Sequence, residues 1–191
     1  MQPRGYAYAR QRVPSGDFRQ GDIEHLPFAD DSFDVVFASN SVQYAADRVA
    51  TLRRFGRVCA PNGRIVAGLF AAPEKVSYAA IMKALGSAMP GPPKGGGPFE
   101  LSMPGKLESL FAEAGLTIVA SGEVDCPFIY PDFDTFWYAN VAAGPLQGML
   151  RVVTEDHLRT AVRPVVAQFT DQNGRIVIQP NFFKYVVATA P

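Results

Sequence analysis

An open α/β sheet with parallel central strands is the fold class this sequence predicts, and three observations predict it. Two continuous apolar runs, Phe33 to Ser39 (FDVVFAS) and Arg64 to Phe70 (RIVAGLF), read as strands buried on both faces. Between them Asp47 is a helix N-cap, and Val49, Leu52, Phe55, Val58 and Cys59 follow at helical spacings before Ala60-Pro61-Asn62-Gly63 supplies the stop. Strand, helix, turn and strand in that order form a parallel crossover, right-handed by rule. The third observation is the stretch Gly21 to Phe37, in which Asp22 ends a short extended segment and a proline-fixed loop, Leu26-Pro27-Phe28, precedes the turn residues Asp30 and Asp31. In open α/β sheets the crevice at the carboxyl ends of the strands is where ligands sit, and Asp22 is placed at such an end.

The bulk composition narrows the function classes. The 191 residues suffice for one domain with a sizeable core, and 48% of them are hydrophobic. Eighteen basic and eighteen acidic residues cancel, which gives no footing to a nucleic-acid or anionic-membrane partner. Cys59 and Cys126 are too few for a disulfide framework and too far apart in sequence for a metal-site spacing, so no metal is expected. The N-terminus lacks a signal peptide's apolar segment, and no stretch approaches the about 18 apolar residues of a membrane span. A cytoplasmic protein is the expectation.

Taken in order, Tyr6 to Arg12 reads as the tail of a helix ending in basic residues, and Phe18 to Ile23 as a strand. The strand from Phe33, the helix after Asp47 and the strand from Arg64 follow. Glu74 to Leu85 carries Val76, Ile81, Met82 and Leu85 on a helical pattern, and Met89 to Phe99 is too rich in glycine and proline for regular structure. Lys94-Gly95-Gly96-Gly97 within it is no phosphate cradle, because a Walker loop needs a preceding strand and a Lys-Ser or Lys-Thr opening a helix. Pro104 to Ala114 is a helix closed by Gly115, and Thr117 to Val124 a strand. Phe133 to Met149 forms one or two helices around Gly144-Pro145. Thr154 caps a helix reaching about Phe169 with Pro164 inside it, Asp171 to Gly174 turns, and Arg175 to Ile178 and Phe182 to Thr189 are strands.

Asp22, Leu26-Pro27-Phe28, the polar turn after them and Phe33-Asp34-Val35-Val36 resemble the middle motif of the class I S-adenosylmethionine-dependent methyltransferases, in their small-molecule, type 11 form. That motif is an acid, three residues, Leu-Pro-Phe, a polar turn and Phe-Asp-x-Val heading the fourth strand. The likeness continues in Ser39 to Tyr44 as the loop after that strand, and in Leu52 to Gly68 as the helix, Pro-x-Gly turn and fifth strand. Phe99 to Ser102 with Leu107 to Gly115 resembles the element before the sixth strand, and Gly174 to Pro191 the antiparallel seventh. The resemblance implies a Rossmann-like sheet in the order three, two, one, four, five, seven, six. Neither the family's glycine-loop strand nor its ribose-binding second strand precedes Gly21, so the expectation is an N-terminally incomplete sheet with those two strands absent and a raw edge exposed. Residues 1–191 are then one partial domain, with 71–103 and 126–170 as lid or substrate-side insertions.

By the same resemblance, the cofactor is S-adenosylmethionine, Asp22 accepts from the adenine amine, Ile23 packs on the ring, and Ser39 and Asn40 border the methionine end. Asp22 capping a turn and Ser39 and Asn40 forming one are the plainer alternatives. Phe99, Tyr130, Phe136 and Trp137 belong to the densest aromatic regions, which are either core or the lining of an apolar acceptor pocket. His25 is of a residue type suited to a general base but occupies a variable position of the motif, and His157 reads as a surface residue. No catalytic base is assigned; methyl transfer to a nucleophilic acceptor needs alignment and water exclusion above all. The implied function is methyl transfer to an unidentified small molecule. The alternative is a non-catalytic methyltransferase-like subunit or fragment needing a partner chain to bind cofactor. A homodimer or a completing partner chain is left open.

Overall fold

A computed structural model describes residues 9–91 and 97–190. Its elements, in chain order, are β1 (Phe33–Ser39), α1 (Arg48–Val58), β2 (Cys59–Phe70), α2 (Tyr78–Ser87), α3 (Lys106–Glu113), β3 (Thr117–Asp125), β4 (Phe128–Tyr130), α4 (Phe133–Ala142), α5 (Gly144–Met149), α6 (Glu155–Val166), β5 (Ile176–Ile178) and β6 (Phe182–Thr189). Residues 9–12 are helical, while the rest of the helix expected from Tyr6 lies outside the described residues, as do Lys94, Gly95 and Gly96. Among the described residues no helix is long and apolar enough to cross a membrane.

The chain divides into two compact units. The first comprises Met1–Gly21, Lys83–Gly91 and Ile129–Val177, the second Asp22–Met82, Pro92–Phe128 and Ile178–Pro191. The second holds a four-stranded sheet in the order β1-β2-β6-β3. β1 and β2 are parallel, and β6 is antiparallel to both β2 and β3. This reproduces the expected succession of fourth, fifth, seventh and sixth strands with the antiparallel last strand. One face packs on the helices: Ile65, Ala67, Leu69, Val186 and Ala188 meet Leu52 and Phe55 of α1 and Leu107 and Phe111 of α3, all nearly or fully buried. Burial of that apolar area drives the unit together.

Local sequence explains the crossover. The Asp47 carboxylate accepts from the Ala50 N–H at 2.8 Å and starts α1. The Asn62-Gly63 turn is absorbed into β2 as a bulge, where the register passes from Phe33↔Cys59 to Val35↔Arg64. Asn62 has φ +65°, and a Cβ on Gly63 would fall 2.7 Å from both the Asp34 carbonyl oxygen and the Cys59 Sγ, so only glycine fits there. Cys59 is buried beneath this bulge, whereas Cys126, after β3, is exposed.

Two expectations are corrected. Phe18 to Ile23 is not a strand; its one ladder contact is an isolated bridge between Asp22 and His25. A strand needs a neighbour to take its backbone hydrogen bonds, and no described strand lies beside this segment. β1, read as central and doubly buried, is the edge of the sheet, with Val35 58% and Phe37 67% exposed. Its apolar composition reports what a strand can bury, not what covers it.

The first unit pairs β4 with β5 and is otherwise helical. Phe136, Trp137, Leu146, Leu158 and Val162 are buried in it. α6 starts where Thr154 Oγ1 accepts from the His157 N–H at 3.3 Å, and Pro164 sits within its last turn before residues 167–169 tighten into a 3₁₀ turn.

Candidate functional site

The segment from Asp22 is held by side chains, not by a sheet. Asp22 accepts from the Glu24 N–H at 2.9 Å, and its other carboxylate oxygen lies 3.2 Å from His25 Nδ1. The backbone N–H first, and His25 second, hold the Asp22 carboxyl below the usual carboxylate range, so it is ionised at neutral pH. Glu24 then reaches across: its carboxylate accepts from the Ala46 N–H at 3.2 Å and the Asp47 N–H at 2.9 Å, at the N-terminus of α1. Arg57, near the other end of α1, donates to the carbonyls of Leu26 at 3.0 Å and Phe28 at 2.8 Å and to Asp30 at 2.6 Å. The Leu-Pro-Phe loop is therefore clamped along the length of one helix. Proline cannot donate, and the loop offers its carbonyls instead.

At the exit of β1 the Asn40 N–H donates to the Gly68 carbonyl at 2.7 Å, and Asn40 itself sits at φ +47°, in the left-handed region. Ser39 before it is exposed. Gln43 follows in a 3₁₀ turn over Val42–Tyr44 and is 7% exposed. The Asn40 Oδ1 and Gln43 Oε1 oxygens are both buried without a hydrogen-bond partner. Tyr44 is 60% exposed, and partial desolvation of its phenol raises its pKa, an effect offset in part by Gln43.

Arg48 ties this loop to the next. Its guanidinium donates to the Gln43 carbonyl at 3.2 Å and, with both terminal nitrogens, to the Glu100 carboxylate at 3.0 and 2.7 Å. The hydrogen bond to Arg48, then its charge, lowers the Glu100 pKa, and the same bond raises that of Arg48. Phe99, beside Glu100, belongs to an aromatic cluster where β2 ends. There the Phe70 ring centre is 5.9 Å from Phe99, 5.9 Å from Tyr78, 6.2 Å from Phe128 and 4.6 Å from Phe183.

The second unit thus contains Asp22, Ile23, Ser39, Asn40 and Phe99, with Glu24, Arg48 and Glu100 joining their loops. The sequence reading passed over those three because their partners lie far away in the chain. The one available signal was Glu24, an acid next to the motif and just ahead of a helix start. Tyr130, Phe136 and Trp137 belong to the first unit's packing. Tyr130 meets Phe136 edge-on with ring centres 5.3 Å apart, and Phe136 and Trp137 are buried. Trp137 Nε1 donates to Glu155 at 2.6 Å, and the Arg159 guanidinium lies 5.5 Å from the Trp137 ring centre. Among the described residues, no group of three or more His, Cys, Asp or Glu could hold a metal.

Residues 1–67 match the methyltransferase domain family. Over 59 residues the chain is 44% identical to the malonyl-[acyl-carrier protein] O-methyltransferase of Yersinia pestis, covering 31% of this chain and 22% of that protein. Over 77 residues it is 40% identical to the demethylmenaquinone methyltransferase of Mycolicibacterium paratuberculosis, covering 40% of this chain and 32% of the relative. The match therefore spans no more than about a third of the length of these relatives. Among solved structures, a protein of Bacillus halodurans assigned as a methyltransferase aligns at a TM-score of 0.53 with 15% identity, over 97% of this chain and 78% of its own. The sheet order and the solved structure show a shared fold, and residues 1–67 carry the methyltransferase-domain signature.

Proposed function

We propose that the chain takes part in methyl transfer from S-adenosylmethionine to a small molecule, in the cytoplasm, as one domain with residues 71–103 and 126–170 on the substrate side. The observation that carries this reading is the interlock at the strand ends. Glu24 and Arg57 fix the Asp22 segment to the helix that follows β1, while Arg48 fixes the exit of β1 to Glu100 beside Phe99. Loops so joined form a pre-organised edge, as a site needs. The relatives named above are a malonyl-[acyl-carrier protein] O-methyltransferase and a demethylmenaquinone methyltransferase, which supports methyl transfer and leaves this chain's acceptor open.

The residues at this edge offer the cofactor hydrogen-bond acceptors. Two buried amide oxygens without donors, on Asn40 and Gln43, and an ionised Asp22 suit a ligand that brings N–H groups. Asp22 would accept from the adenine amine with Ile23 against the ring, and Ser39 and Asn40 would border the methionine end. When bound, the cofactor supplies an electrophilic sulfonium methyl. Phe99 is proposed as an apolar wall for the acceptor, and Tyr130, Phe136 and Trp137 as substrate-side residues of their own unit. No base is assigned; Arg48 and Glu100 neutralise each other and position the loops.

A second reading, a methyltransferase-like subunit that binds cofactor only with a partner chain, is favoured by one observation: Asp22 stands exposed on a segment outside any sheet. Calorimetric titration with S-adenosylhomocysteine separates the two. Saturable binding, weakened about tenfold by Asp22→Ala as loss of one charge-assisted hydrogen bond requires, supports the first reading. A folded sample that gives no heat rejects it for the chain alone and leaves the subunit.

A further inference from the structure

We propose that the cavity where β1 and β2 begin binds a free, zwitterionic α-amino acid with an aliphatic side chain, at a site separate from the one assigned to methyl transfer. The cavity encloses about 360 Å³, within the size of small-ligand pockets. It lies at the opposite end of the strands from Asn40: Asp31 precedes β1, Cys59 opens β2, and the two strands run parallel from there. The length of β1 sets the two ends roughly 20 Å apart. The inference therefore does not depend on the functional reading.

The charges of the lining select the ligand. Asp30, Asp31, Arg53 and Arg57 line the cavity, and their formal charges cancel. One pair is already spent: Arg57 donates to Asp30 at 2.6 Å and to the carbonyls of Leu26 and Phe28. The other two keep capacity. Arg53 uses one terminal nitrogen, donating to the Glu113 carbonyl at 2.9 Å, and the Asp31 backbone N–H donates to the Arg57 carbonyl at 3.0 Å. Among the described residues neither the Arg53 guanidinium nor the Asp31 carboxylate has an ionic partner, in each other or elsewhere. A ligand of one charge would satisfy one of them and oppose the other. A zwitterion satisfies both, its carboxylate accepting from Arg53 and its ammonium donating to Asp31. The helices support that polarity: α1 ends at Val58 and α3 at Glu113, and both bring their C-terminal, partly negative ends to the cavity, which favours the ammonium there. The rest of the wall is Cys59, Pro61, Ala114, Leu116 and Ala190, apolar and without an aromatic ring, so the side chain it takes is aliphatic.

Calorimetric titration of the full chain with L-leucine, with melting temperature as a second readout, tests this. Saturable binding is expected, weakened about tenfold by Arg53→Gln and about tenfold by Asp31→Asn, since each removes one charge-assisted contact. Asparagine suits the backbone at position 31, where φ is +57°. Two analogues repeat the comparison on the unaltered chain: leucinamide lacks the carboxylate and 4-methylpentanoate the ammonium, and each should bind about tenfold more weakly than leucine. Leucine affinity should be the same with S-adenosylhomocysteine present, because the cofactor's own amino-acid end belongs at the other end of the strands. Neither heat nor a rise in melting temperature up to the solubility of leucine overturns the proposal. So do variants or analogues that bind undiminished, and so does competition between leucine and S-adenosylhomocysteine.

Discussion

Asn40 combines two local costs: a left-handed backbone at φ +47° on a residue with a Cβ, and a buried Oδ1 with no donor. Glycine would relieve both, so Asn40→Gly is expected to stabilise the free chain by about 1 kcal/mol, a rise of about 2–4 °C in melting temperature by calorimetry. The same variant should weaken any ligand whose N–H the amide receives. Glu100 gives the pH dependence at this scale. Arg48 lowers its pKa in the folded chain, so its ionisation adds stability above the ordinary carboxylate range, and that part is lost as pH falls through the depressed value. Thermal melts from neutral pH into acid should therefore steepen in the acid limb, and Glu100→Gln should flatten that limb and lower stability at neutral pH. Asp22 was legible as the motif's acid, yet the side chain that fastens its segment is Glu24. Nothing in local sequence marks Arg48, because its partner Glu100 is 52 residues away.

Elements whose pattern repeats within a few residues were legible: α1 runs from the predicted Asp47 cap, and β6 spans the predicted Phe182–Thr189. Elements that depend on a neighbour were not. Phe18 to Ile23 has strand-like residues and no ladder, and β1 has a central strand's composition at an edge. The junction between β3, β6 and the start of α2 depends on Asn181, which the sequence presents as one polar residue after a proline. It is fully buried: its N–H donates to Asp125 at 2.8 Å, its Nδ2 to the Ile178 carbonyl at 3.1 Å, and its Oδ1 accepts from the Tyr78 N–H at 3.0 Å. Asn181→Ala strands the last two partners, and a loss of about 2 kcal/mol is expected in urea unfolding. Asn181→Asp, which keeps an acceptor for Tyr78 but loses the donor to Ile178, should also destabilise.

At the scale of the whole molecule, the parallel crossover was legible because connection and hand dictate it, and the antiparallel last strand was legible only through the resemblance carried by Gly174 to Pro191. The two cysteines have a practical consequence. Cys126 is open to solvent, while Cys59 lies under the β2 bulge, its thiol made less acidic by burial. A maleimide dye should therefore attach once to the native chain, at Cys126, with no engineered handle. A second attachment should appear only as β2 lets go, so the ratio of doubly to singly labelled chain in a mass spectrum becomes a clock for opening of the sheet.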